Sequence, residues 1–170
     1  MYQRIVVAYD ASAQAEKALD TAANFAKASD GTVHVVHAKL QGRLPEGLAR
    51  MVKDEGLLGP DILENMRSGS LISELDALTP GQSSKRLSAA LGDLLVARAE
   101  DHLNRAGVTS VDTHVVGGDA AEEITRIASE VEADLIVLGS RGLGQLKGLM
   151  IGSVSHKVLQ TAPCACLIVK

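Results

Sequence analysis

At 170 residues the chain is most simply one domain, residues 1–170, and its 46% hydrophobic and 22% charged content is ordinary for a globular protein. One Phe, two Tyr and no Trp leave few rings for base stacking, and a net charge of −4 disfavours a polyanion, so a nucleic-acid binder is not expected. No apolar stretch approaches the ~18 residues of a membrane span, and the run before Asp10 is too short for a secretion signal; a cytoplasmic protein with no membrane partner is expected.

Taken in chain order, residues 4–9 (RIVVAY) form a short β-branched run that predicts a buried strand ending at Asp10. Ser12 offers an N-cap, and Ala15, Ala18, Leu19, Ala22, Phe25 and Ala26 follow at the spacing of one helical face. Gly31 is the expected C-terminal cap of that helix. Residues 32–38 (TVHVVHA) read as a second strand, with His34 and His37 on opposite faces and so unable to share a metal. A helix is predicted from about Lys85 to Ala106, stopped by Gly107, and a strand within 108–118. Asp119 with Glu122 three residues later suggests a capping box ahead of Ile124, Ile127, Ala128 and Val131. Residues 133–139 (ADLIVLG) are the most strand-like run; a last helix fits 153–160, and CACLIVK closes the chain as a strand. Strand and helix alternate, which implies a parallel sheet covered by helices on both faces.

The segment at about 41–83 breaks this rhythm. It holds three of the four prolines and short apolar stripes, as an insertion resembling a lid or a partner surface would. Cys164 and Cys166 share a face if they lie on a strand, but a lone C-x-C is more simply a pair of small reduced thiols than a metal site. After Asp134 there is no acid at all, while Arg141, Lys147, Lys157 and Lys170 concentrate positive charge near the C-terminus.

The glycines at 139, 142, 144, 148 and 152 raise the chemical question. A Walker A loop fails, because Lys147 is followed by Gly148 rather than Ser or Thr. A dinucleotide fingerprint fails as well, since no acid remains downstream to hold a ribose. A third spacing fits without a gap: Gly, two residues, Gly, nine residues, Gly-Ser, at Gly139, Gly142 and Gly152-Ser153. Gly139 would leave room for a ribose at a strand end, and Gly142 would permit a turn with positive φ. Gly152 and Ser153 would open a helix whose free amides favour phosphate. The hydroxyls of Ser153 and Ser155 can donate to the same oxygens, and Arg141 adds charge nearby.

With that spacing and the stretches VVAYDAS, VVGGDAAEEI, ADLIVLGSRG and APCACLIVK, the chain resembles the ATP-binding branch of the universal stress protein family over about 1–40 and 84–170. The resemblance implies an open five-stranded parallel α/β sheet in the order 3-2-1-4-5. It implies an adenine nucleotide site for ATP, with ADP or AMP as alternatives, and Mg2+ on the phosphates. Asp10 would contact the adenosine, with Ala8, Tyr9 and Ala38 lining the adenine pocket and Leu138 closing over the base. Gly139 and Gly142 would meet ribose and phosphate, and Gly152, Ser153, Val154 and Ser155 the remaining phosphates. Ala11 departs from the Gly common at that place in the family. A homodimer through the last strand, from Cys166 to Lys170, is implied too. Three functions follow: a nucleotide-dependent stress regulator, a slow ATPase or autophosphorylating enzyme with Ser153 or Ser155 as acceptor, or a nucleotide-free assembly module. With no placed general base in the sequence, the first is expected.

Overall fold

A computed structural model describes residues 2–39, 82–142 and 151–170. In chain order these form β1 (Arg4–Ala8), α1 (Ala13–Ser29), β2 (Thr32–Ala38), α2 (Gln82–Arg105), β3 (Val111–Val116), α3 (Ala120–Glu130), β4 (Leu135–Gly139), α4 (Ser153–Thr161) and β5 (Ala165–Val169). Residues 1–39 and 92–170 make one compact unit and 40–91 another. The segment singled out at 41–83 falls, but for its last two residues, outside the described residues.

All the strand pairs are parallel, and the sheet order is β3-β2-β1-β4-β5, the expected 3-2-1-4-5. The register sorts side chains to two faces. Val6, Val36, Ile136 and Leu138 point to one, where Ala121, Ile124, Ile127 and Ala128 of α3 and Val158 of α4 complete a core cluster. Ile5, Val7, Val33, Val35 and Val137 point to the other and are fully buried there, on the side where α1 packs. Each fully buried aliphatic side chain contributes about 1.5–3 kcal/mol, so these two layers carry the stability that the scarce aromatics do not.

Local signals act much as the sequence suggests, with two differences. Ser12 caps α1, accepting the Ala15 N–H at 3.2 Å, but the left-handed residue that ends the helix is Asp30 (φ 51°), not Gly31. Gly31 is needed for space instead: a Cβ there would lie 2.7 Å from the Gln3 carbonyl oxygen. Asp119 caps α3 by accepting from Ala121 and Glu122, whereas the Glu122 carboxylate turns to Lys157 of α4 at 2.8 Å rather than closing a capping box. That ion pair, with Lys157 to Asp119 at 3.2 Å, ties the two helices of this face together. Gly107 does end α2, at φ 90°.

The two strand histidines lie on opposite faces, as their spacing requires. His37 is buried, its Nδ1 2.8 Å from the Tyr9 carbonyl oxygen; His34 is also buried, beside His114 and Asp112 of β3. Burial holds both imidazoles below their ordinary pKa, against the opposing pull of Tyr9 O and Asp10 on His37 and of Asp112 on His34. The unfolded chain then binds more protons than the folded one once the pH drops below the ordinary histidine value. Stability is complete above about pH 6.5 and declines as pH falls from there through the depressed folded values. The urea midpoint is expected to fall between about pH 8 and pH 5. His37→Leu should flatten part of that fall; a midpoint constant over the window would refute the assignment.

Candidate functional site

In an open parallel sheet, ligands meet the carboxyl ends of the strands where neighbouring connections diverge to opposite sides. Here that point lies between β1 and β4, and the turns leaving those two strands touch. Asp10 follows β1; its Oδ1 accepts the Ser12 N–H at 3.0 Å, so its carboxylate orients the turn while Ser12 caps the helix. Ala11 takes the left-handed conformation at φ 62°, a region that favours glycine. The other Asp10 oxygen, Oδ2, lies against Gly142, filling the space a Cβ would need. Thus Asp10 and Gly142, 132 residues apart in number, are brought together.

The two glycines of this turn have different reasons from those the sequence suggests. Gly142 is not in the positive-φ region; a Cβ there would collide with the Asp10 carboxylate, which would have to give way. Gly139 does not leave an open space for a ribose. A Cβ there would meet Gln14 Cβ at 2.8 Å and the Gln14 carbonyl carbon at 2.9 Å, so the glycine admits the first turn of α1. Gly152, the N-cap of α4, is in ordinary extended backbone (φ −70°, ψ 160°) and donates its N–H to the Ser140 carbonyl at 2.7 Å.

The start of α4 completes the arrangement. Ser12 and Asp119 put side-chain oxygens on the first amides of α1 and α3, but no side chain caps α4. Its first intrahelical bond runs from His156 N–H to Gly152 O at 2.9 Å, so the amides of Ser153, Val154 and Ser155 precede the ladder. Ser153 and Val154 are exposed; Ser155 is buried, and its hydroxyl donates to the Gly139 carbonyl at 2.7 Å. An uncapped helix start with positive dipole, beside a turn bounded by two glycines, suits an anion. Arg141 is exposed at the same turn, while Lys147, Gly144 and Gly148 lie outside the described residues.

The remaining expected residues scatter. Ala8 and Ala38 sit half-buried at the ends of β1 and β2. Tyr9 is 2% exposed and uses its backbone inward, donating to Val36 O at 2.9 Å and receiving His37. Its phenol donates to Glu16 at 2.6 Å; burial and that carboxylate push its pKa up, and Glu16 is paired in turn with Arg98 of α2 at 3.3 Å. Leu138 is buried in the core cluster under α3 and α4. The supporting residues His37, Glu16, Gln14 and Ser140 escape the sequence reading, because nothing in spacing reveals which side chains a turn recruits. Burial raises the pKa of both Cys164 and Cys166, against a reactive thiolate role.

The model of the universal stress protein family matches residues 1–170. The chain is 31% identical to universal stress protein YxiE of Bacillus subtilis over 170 residues, covering all of both chains. Among solved structures it is similar to a universal stress protein in complex with cAMP, at 27% identity and TM-score 0.63, covering 99% of this chain and 97% of that one. It shares its fold with a universal stress protein from Archaeoglobus fulgidus in complex with dAMP, at 23% identity and TM-score 0.60, covering 99% and 98%.

Proposed function

The chain belongs to the universal stress protein family, and from that premise we propose that it is an ATP-binding regulatory module of a stress response. The observation that carries this reading is the meeting of three features at the carboxyl end of the sheet, between β1 and β4. The Asp10 carboxylate, the glycine at 142 and the uncapped start of α4 stand where a nucleoside and its phosphates need a hydroxyl acceptor, clearance and amide donors. The relative complexed with cAMP supports an adenine nucleotide as the occupant. Asp10 is assigned to the adenosine, Ala8, Tyr9, Ala38 and Leu138 to the walls behind it, and Gly142, Ser153 and Val154 to the phosphates. Gly139, Gly152 and Arg141 border them.

Mg2+ would enter with the nucleotide, on its phosphate oxygens. The same protein forms a homodimer through β5, an edge strand whose residues Cys166, Leu167, Ile168 and Val169 are only half-buried. If phosphoryl transfer to the chain occurs, Ser153 is the acceptor rather than the buried Ser155. The purified protein is expected to release an adenine nucleotide on denaturation, identified by mass spectrometry, or to bind added ATP by calorimetry. A chain that is empty and ignores ATP would leave the nucleotide-free assembly module as the better reading.

A further inference from the structure

The turn after β4 is held through its carbonyl oxygens. Ser155, 6% exposed, donates its hydroxyl to Gly139 O at 2.7 Å. Ser12, 7% exposed, donates to Arg141 O at 3.4 Å while its oxygen accepts the Ala15 N–H. Between them, Ser140 O accepts the Gly152 N–H at 2.7 Å, and the Ser140 N–H donates to Val169 O at 2.6 Å. Three successive carbonyls, at 139, 140 and 141, are therefore drawn to the starts of α1 and α4. A carbonyl oxygen is the negative end of the peptide dipole, so one turned toward a phosphate would repel it. A hydroxyl has a single proton to donate, and in both serines it is already committed to the protein.

Resting on the nucleotide reading above, we propose that Ser155 is a positioning residue of the phosphate site, with Ser12 as its counterpart. The two hydroxyls hold the 139 and 141 carbonyls away from the anion and fix the gap between the turn and the start of α4. This replaces the direct phosphate contact expected for the Ser155 hydroxyl from the sequence. The role predicts selectivity for the charged end of the ligand, because a carbonyl released from its serine could turn toward the phosphates and repel them, while an uncharged base would be little affected.

The test compares ATP and adenosine on the full-length protein by calorimetry. Ser155→Ala is expected to weaken ATP about tenfold or more, the effect of one well-formed hydrogen bond. Adenosine affinity should change by less than about twofold. Ser155→Thr, which keeps a hydroxyl, should restore most of the ATP affinity. Ser12→Ala should show the same ATP-selective loss, and it carries the test if Ser155→Ala does not fold. Equal losses for ATP and adenosine, or unchanged ATP affinity in a folded variant, would overturn the assignment while leaving the nucleotide reading intact. A wild-type chain that binds neither compound would remove both.

Discussion

Gly142→Asp is expected to reduce ATP affinity at least ~100-fold while leaving the dimer unchanged. A Cβ at 142 would collide with Asp10 Oδ2, so either the carboxylate swings off its hydrogen bond to the Ser12 N–H or the turn moves away from β1. An aspartate adds a second negative charge beside the first. Two such charges about 4 Å apart at a partly exposed site repel by about 4 kcal/mol, and a bound phosphate would feel both. The predicted dimer surface is β5, on the far side of β4 from β1, so its pairing should survive. Titration calorimetry measures the first effect and light scattering the second. Loss of both together would mean that the nucleotide site and the edge strand are not separable.

Gly139→Ala is expected to destabilise the fold by about 1–3 kcal/mol, read as a lowered urea midpoint. The added methyl would meet Gln14 Cβ at 2.8 Å and backbone atoms of Gln14 and Ala15 at 2.9 and 3.1 Å, and backbone cannot swing aside as a side-chain tip can. Helix α1 or the end of β4 must shift, and either displaces the candidate site. Gly152→Ala is the control. There the nearest atoms to a new Cβ are at 3.5 Å and the backbone suits any residue, so a cost below about 1 kcal/mol is expected, mostly from the poorer N-cap. Equal costs at the two positions would contradict the packing described around Gly139.

Much of the fold was legible because its signals are local. The β-branched runs at Arg4–Ala8, Thr32–Ala38 and Leu135–Gly139, the helical stripe of α1 and the caps at Ser12 and Asp119 need only neighbours along the chain. The glycine spacing at 139, 142 and 152 is likewise readable along the chain. The physical cause at each glycine was not legible. The exclusion at Gly142 comes from Asp10, and that at Gly139 from Gln14, both more than a hundred residues away in the chain.

Sequence by itself determined the α/β alternation and the family resemblance. Only the tertiary structure decided what the candidate site residues are committed to. It turned Tyr9 and Leu138 inward, bound the Ser155 hydroxyl to Gly139, and left the start of α4 without a side-chain cap. The division has one physical reason. Periodicity and capping are set by contacts within a few residues, whereas hydrogen-bond partners and close approach are set by which elements the sheet order places side by side.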